Sequence, residues 1–335
     1  MPEHSWSVVS TVREPLSLVL AFACHHLSLG AKTVHLFFDD PNDPAAAVMA
    51  KIPGVDVTLC DAAHWQALGR ETRPAWQTRR QTLNANLVAQ DQRADWLLHA
   101  DADEFLWAPE GIESDLARAD GWLHIPNLER VWIAPEAGIF DGQFRAPGLS
   151  NPSVEQIYGP ARTYLQNGLS GHTSGKAMAR LADRKFIAIH AVKDKFRGEV
   201  SPGRTTANAC ILHFDGMTAR HWLLKSLRYA VQGKALLQSL HSRRRAGIER
   251  VMRADDPLAE GLSLHHEIFH LSDEQQEMLQ AEGALLTCPL NLDHSVATYA
   301  PDVAVEFSAG EFDADLTDAL DALVHDIRGS TAKTG

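Results

Sequence analysis

Three carboxylates close an apolar run in Trp96-Leu97-Leu98-His99-Ala100-Asp101-Ala102-Asp103-Glu104-Phe105-Leu106. Oxygen donors at this spacing suit a hard divalent cation, because Asp101 and Asp103 can face the same way and share one ion. An ion held there would neutralise a diphosphate and stabilise it as a leaving group. Asp-x-Asp also occurs as a solvated turn or a helix cap, so the tripeptide alone decides little. Its setting decides more. The run before it reads as a strand buried on both faces, and Phe105 and Leu106 return to the core at once. The acids therefore fall just past the carboxyl end of a strand, the edge at which open α/β sheets bind ligands.

The preceding chain supplies such a sheet. Trp6 to Val12 reads as a strand, and Glu14-Pro15 opens a helix that stops at Gly30. Thr33 to Phe38 is a second strand, Pro44 to Lys51 a short helix and Val55 to Leu59 a third strand. A longer helix runs from Pro74 to about Gln90, then come the Trp96 strand and a return to the sheet from Gly121 to Ile125. Repeated β-α-β units imply parallel strands with right-handed crossovers. From Pro126 to Gly175 the Gly, Pro, Asn and aromatic content predicts long loops with a hairpin over the active edge. Phe186 to Val192 and Ala209 to Phe214 read as strands, and His221 to Leu240 as a helix. The end of the chain is helical and acidic, with a disordered tail from Gly329.

A formal charge of -12 over 335 residues argues against a nucleic-acid surface. An acidic chain that handles an anion must neutralise it locally, with a metal or a few basic side chains. The four cysteines, Cys24, Cys60, Cys210 and Cys288, lie far apart without CxxC spacing, as expected of buried thiols in a reducing compartment. Met1 to Trp6 lacks a basic flank and an apolar core, so no signal peptide is expected, and no run approaches a membrane span. These features place the chain in the cytoplasm. Peripheral contact with the inner face of a membrane through Arg243-Arg244-Arg245 is weighed against a plain solvated helix end. GxGxxG, GxSxG and HExxH are absent, and Gly175-Lys176 is not a phosphate loop because Ala177 follows the lysine.

With these residues in hand the chain resembles glycosyltransferases of the GT-A fold, most nearly the family 2-like bacterial group with a DxDEF motif. Ser10 to Glu14 and Asp101 to Leu106 carry the likeness, with Arg80 and Asn84, Gly175-Lys176, Leu212-His213-Phe214, Lys225 and Arg228 following in order. It spans roughly Trp6 to Tyr229. The resemblance implies an α/β fold of GT-A type, with a mostly parallel Rossmann-like central sheet flanked by helices. The domain would cover residues 1–240, a nucleotide-sugar half to about 125 and an acceptor half from 126, with a helical extension over 241–335.

The resemblance also implies a UDP- or GDP-linked sugar donor, a saccharide or glycolipid acceptor and Mn2+ or Mg2+. Asp101 would lie near ribose and metal, Asp103 on the cation, and His213 would be the third metal ligand; the alternative for His213 is a core histidine bonded to a carbonyl. Glu104 would bind ribose, orient a ligand or cap the next turn. Thr11 and Arg13 fall where similar enzymes hold base and ribose, and Asp39 or Asp40 could accept from the base, although strand ends rich in Asp are also ordinary turns. Lys176 could act as a point charge on the diphosphate, with Arg80 helping and Asn84 on the same helical face. Inversion needs a carboxylate base: Asp194 falls in a suitable region, with Glu155 and Asp215 as rivals. Two other readings compete, a metal-dependent nucleotidyl- or phosphotransferase and a non-catalytic nucleotide-sugar binding protein.

Overall fold

The computed structural model describes residues 4–91, 93–135, 137–195 and 197–331, with the backbone alone at 234 and 328–331. Residues 1–3, on which the reading of the amino terminus partly rests, lie outside the described residues. The last helix, Ala309–Thr331, runs into the stretch read as a disordered tail, and 332–335 lie outside the described residues. Among the described residues no helix is long and apolar enough to cross a membrane.

The strands in chain order are β1 (Trp6–Val12), β2 (Val34–Phe38), β3 (Val55–Leu59), β4 (Trp96–His99), β5 (Glu104–Trp107), β6 (Trp122–Ile125) and β7 (Asn127–Val131). Then come β8 (Gln143–Arg145), β9 (Lys176–Arg180), β10 (Phe186–Ile187), β11 (Val192–Lys193), β12 (Gly203–Thr205), β13 (Cys210–His213) and β14 (Leu285–Leu286). Among the described residues thirteen α-helices accompany them, and the fold class is α/β with mixed sheets.

The chain forms two units. The first comprises Met1–Asn127, Ser174–Leu212 and Leu290–Val305, and the second Leu128–Thr173, His213–Pro289 and Glu306–Gly335. They interleave along the sequence, whereas the sequence reading cut the chain consecutively at 240/241. The physical reason for the return of 290–305 is visible in the first helix, Leu16–Ser28, which is apolar nearly all round and buried along its length. Such a helix needs cover on every side. Leu292–Tyr299 provides it, with Tyr299 Oη donating to Leu27 O at 3.0 Å and Ser295 Oγ meeting Ser28 Oγ at 3.0 Å.

The first unit is built on a seven-stranded sheet of order β12-β6-β9-β4-β1-β2-β3. β3, β2, β1 and β4 run parallel; β1, β2 and β4 sit buried almost throughout, as strands covered on both faces must, while the edge strand β3 is only partly buried. From β1 the chain steps outward to β2 and β3, then crosses to β4 on the other side. That reversal of strand order makes the crevice between the carboxyl ends of β1 and β4 the expected ligand position. β9 inserts antiparallel between β4 and β6, pairing Leu98 with Met178 and Ile125 with Lys176. Lys176, read from the sequence as a point charge on a diphosphate, is the first residue of this interior strand. Phe186 to Val192 is not one strand but a hairpin of β10 and β11, closed by Ala188 N–H on Ala191 O at 2.9 Å.

In the second unit β7, β8 and β14 pair antiparallel. The region read as loops contains this hairpin and a helix, Asn151–Tyr158, capped by Ser150 with a proline in its first turn. The helix read from His221 to Leu240 splits at Gly233, whose φ of +110° no helix continues through, into Ala219–Val231 and Lys234–Ser239.

Candidate functional site

At the carboxyl end of β4 the backbone turns sharply. Glu104 N–H donates to Asp101 O at 3.0 Å, and Asp101 N–H donates back to Glu104 Oε2 at 2.8 Å. The two bonds lock the Asp101-Ala102-Asp103-Glu104 turn from both sides. Glu104 is fully buried and thus the clamp of the turn, the capping alternative among its readings. Lys176 Nζ reaches Glu104 Oε2 at 2.7 Å and Asp101 Oδ2 at 2.7 Å, and the lysine side chain is wholly buried. Gln81 donates to the other oxygen of Asp101. Asp103 is buried, while the Asp101 side chain keeps 30% of its surface exposed.

Lys176 therefore holds the acids in place; its ammonium is shared between two carboxylates. Burial pulls its pKa down, but Asp101 and then Glu104 outweigh that and raise it, so the charge stays. For Asp101 burial raises the carboxyl, and the Lys176 ammonium overcomes it and holds the group below the usual range. His99, in the strand itself, is lowered to about 4 by burial and then by Lys176, and stays neutral. By count of side chains, one lysine stands against three carboxyl groups, Asp101, Asp103 and Glu104. That donor set fits a hard divalent ion: each carboxylate oxygen has two lone pairs, so Asp101 can accept from Lys176 and Gln81 and still face a cation through its exposed side.

A single helix, Gln77–Asp91, reaches the ends of three parallel strands with three buried polar side chains. Arg80 serves β2: its Nε lies 2.7 Å from Asp39 Oδ1, Nη2 donates to Oδ2 at 2.9 Å, and Nη1 donates to Pro74 O and Ala75 O at 2.8 Å each. Asn84 serves β1, donating to Thr11 Oγ1 at 2.9 Å, and its Oδ1 lies 2.9 Å from His64 Nε2. Gln81 serves β4 through Asp101. Arg73 also pairs with Asp39, so two guanidiniums face one carboxylate and leave a net positive charge beside β2. The guanidinium of Arg80 is spent on these partners, whereas Arg73 stays 41% exposed. Arg80→Met is expected to cost about 1–3 kcal/mol in urea unfolding, since Arg73 still faces Asp39. A loss below about 0.5 kcal/mol, the size of an exposed pair, would mean that the buried bonds contribute nothing.

The remaining predicted residues are more dispersed. Arg13 is exposed beyond β1, and Asp40 accepts from Asn42 N–H at 3.0 Å in an ordinary Asx turn. Asp194 accepts from Arg197 N–H at 2.9 Å within its own loop. Beside the start of the Gln77–Asp91 helix, Trp76, Arg79 and Phe186 line an open groove of about 540 Å³, with Trp76 47% exposed. That volume lies in the range of ligand pockets.

The second unit holds His213, Glu155 and Asp215. Glu155 is exposed and 3.4 Å from Arg162. Asp215 is buried, meets Arg244 Nη1 at 2.6 Å and Nη2 at 3.1 Å, and accepts from Ser170 Oγ at 3.2 Å. Burial alone would raise this carboxyl; Arg244 and then Lys225 overcome it and hold it well below the usual range. His213 is buried and stacks on His172, ring centroids 5.1 Å apart. A ring nitrogen of each lies within 4.8 Å of the other.

Sequence reasoning missed Gln81, Arg73 and His172. Gln81 had a signal: it lies beside Arg80 and three residues before Asn84 on one helix, close enough to share their face. Arg73 and His172 sit in irregular segments and had none. No protein-family model matches the chain, and no curated protein matches its sequence.

Proposed function

We propose that this chain is a metal-dependent glycosyltransferase of GT-A type that moves a sugar from a UDP- or GDP-linked donor to a saccharide or glycolipid acceptor, in the cytoplasm and in the service of surface polysaccharide synthesis. The observation that carries the reading is the position of Asp101: partly exposed, ionised, and just past β4, where strand order reverses against β1. Asp101 and Asp103 would hold Mn2+ or Mg2+. The ion, when bound, supplies positive charge for the departing diphosphate.

The chain's own residues supply the rest. Lys176 keeps Asp101 ionised and fixes its orientation, and Gln81 holds it from the helix side. The surplus charge of Arg73 and Arg80 over Asp39 offers the donor's nucleotide a basic neighbour in an otherwise acidic protein. The Trp76 groove gives room for the part of a ligand beyond its phosphates. For the acceptor base Asp194 stays the choice, because Arg244 makes Asp215 a weak base and Glu155 sits on an exposed helix surface.

The test is a thermal-shift screen of nucleotide sugars with and without Mn2+. A ligand that binds only the folded state raises the melting temperature by mass action, by about 2.7 kcal/mol of stability at a hundred times its dissociation constant. The expected result is a rise with one UDP- or GDP-sugar that requires the metal. A rise with nucleoside triphosphates alone would favour the nucleotidyltransferase reading instead.

A further inference from the structure

We propose that His172 and His213 together ligate one divalent transition-metal ion, so that the second unit prefers Mn2+, Co2+ or Zn2+ to Mg2+. The inference depends on the proposed glycosyl transfer only for what the ion does, and on the local geometry for whether it binds.

Three observations carry it. The two rings lie nearly parallel, at 26°, with a nitrogen of each within 4.8 Å of the other. Two imidazole nitrogens each about 2.1 Å from a shared ion sit roughly 3–4 Å apart, so small ring rotations bring them into register. The backbone that presents His172 is then stitched down from beneath. Ser170 N–H donates to Glu129 Oε1 at 2.8 Å, Gly171 N–H donates to Glu129 Oε2 at 2.6 Å, and Ser170 Oγ binds Asp215. Glu129 is itself fixed by Arg145, whose Nη2 lies 2.6 Å away, both side chains fully buried. Metal ligands need such a rigid outer layer to hold their rings in one orientation.

The third observation is Gly171. A Cβ at that position would stand 2.7 Å from His213 Cε1, 2.9 Å from His213 Nδ1 and 3.0 Å from Glu129 Oε2. Only glycine lets the His213 ring come this close to the loop that carries His172. The chemistry of the pair selects the ion. Neutral imidazole suits first-row transition ions and zinc, whereas Mg2+ prefers oxygen and water.

The experiment uses the full chain, with His266→Gln introduced throughout because His266 and His270 form a second stacked pair that could bind metal on its own. Co2+ is titrated in and read by its visible absorption. A strong site beyond any at Asp101 and Asp103 should appear, displaced by Zn2+ or Mn2+ and not by equal Mg2+. His172→Ala should weaken Co2+ binding about 100-fold or more, the upper end of what even outer-layer changes do. The pair acts on one ion, so His172→Ala with His213→Ala should bind no more weakly than His213→Ala alone. His172→Asn, with far-ultraviolet circular dichroism as a check on folding, stands in should the alanine variant fail to fold. Unchanged Co2+ affinity in either His172 variant, absence of the strong site, or equal displacement by Mg2+ would overturn the proposal. Donor-dependent release of nucleoside diphosphate in those same variants would leave the glycosyltransferase reading standing while the histidine pair fell.

Discussion

Lys176→Met will destabilise the protein by about 3–5 kcal/mol, the cost of stranding buried charge when one partner of a buried pair is removed. Lys176 is wholly buried and 2.7 Å from each of two carboxylates, one of them, Glu104, equally buried. Methionine matches the stem in length and fills the space, so the loss measures charge rather than packing. Urea unfolding reads it directly. Adding Glu104→Gln to Lys176→Met should recover part of the loss, because one of the two unpaired acids is then neutral. A Lys176→Met protein as stable as the parent would mean that the ammonium does not hold the turn.

The pH dependence of that contribution has a definite sign. Lys176 has its pKa raised, so its stabilisation is complete below the unfolded value of about 10.4 and is lost as pH climbs through the folded value. Asp101 has its pKa lowered, so its share is present above about 3.9 and is lost as pH falls through the folded value. Between those limits the pair contributes a constant amount. The parent protein should therefore lose stability relative to Lys176→Met at both extremes.

Asp103→Asn should lower metal-dependent turnover by on the order of 10²–10³-fold, the usual effect of removing one group that stabilises developing charge. Asparagine keeps the shape of the side chain and its oxygen, but loses the charge that a hard cation requires. Asp101 is bonded to Lys176 and Gln81, so Asp101→Asn would injure both the fold and the reaction. Turnover of Asp103→Asn within about threefold of the parent would remove Asp103 from the reaction.

Much of the first unit was legible because its signals are local. β1, β2 and β3 are short runs rich in apolar and β-branched residues, and their observed ends fall within a residue of those expected. The acids after β4 stood out because buried parallel strands do not tolerate charge. What stayed hidden depends on pairing at long range. Lys176 read as a charge for a diphosphate since nothing near it in sequence announces that β9 slots between β4 and β6, 75 residues from Asp101 in sequence. Arg80 looked like a phosphate ligand because its carboxylate partner, Asp39, lies in another element. The polar helix Gln77–Asp91 reads as solvated, and its buried Arg80, Gln81 and Asn84 make sense only with three strand ends beneath them. Helix Leu292–Tyr299 looked like part of a tail because the apolar surface it covers lies in the first helix.

The central claim is that the carboxylate turn behind β4 serves the transfer of a sugar from a nucleotide. The purified chain incubated with Mn2+ and a panel of nucleotide sugars, with products separated by anion exchange, tests it most directly. The account predicts nucleoside diphosphate from one donor, suppressed by chelation and by Asp103→Asn. Pyrophosphate released from a nucleoside triphosphate, or diphosphate formed equally well by Asp103→Asn, would contradict it.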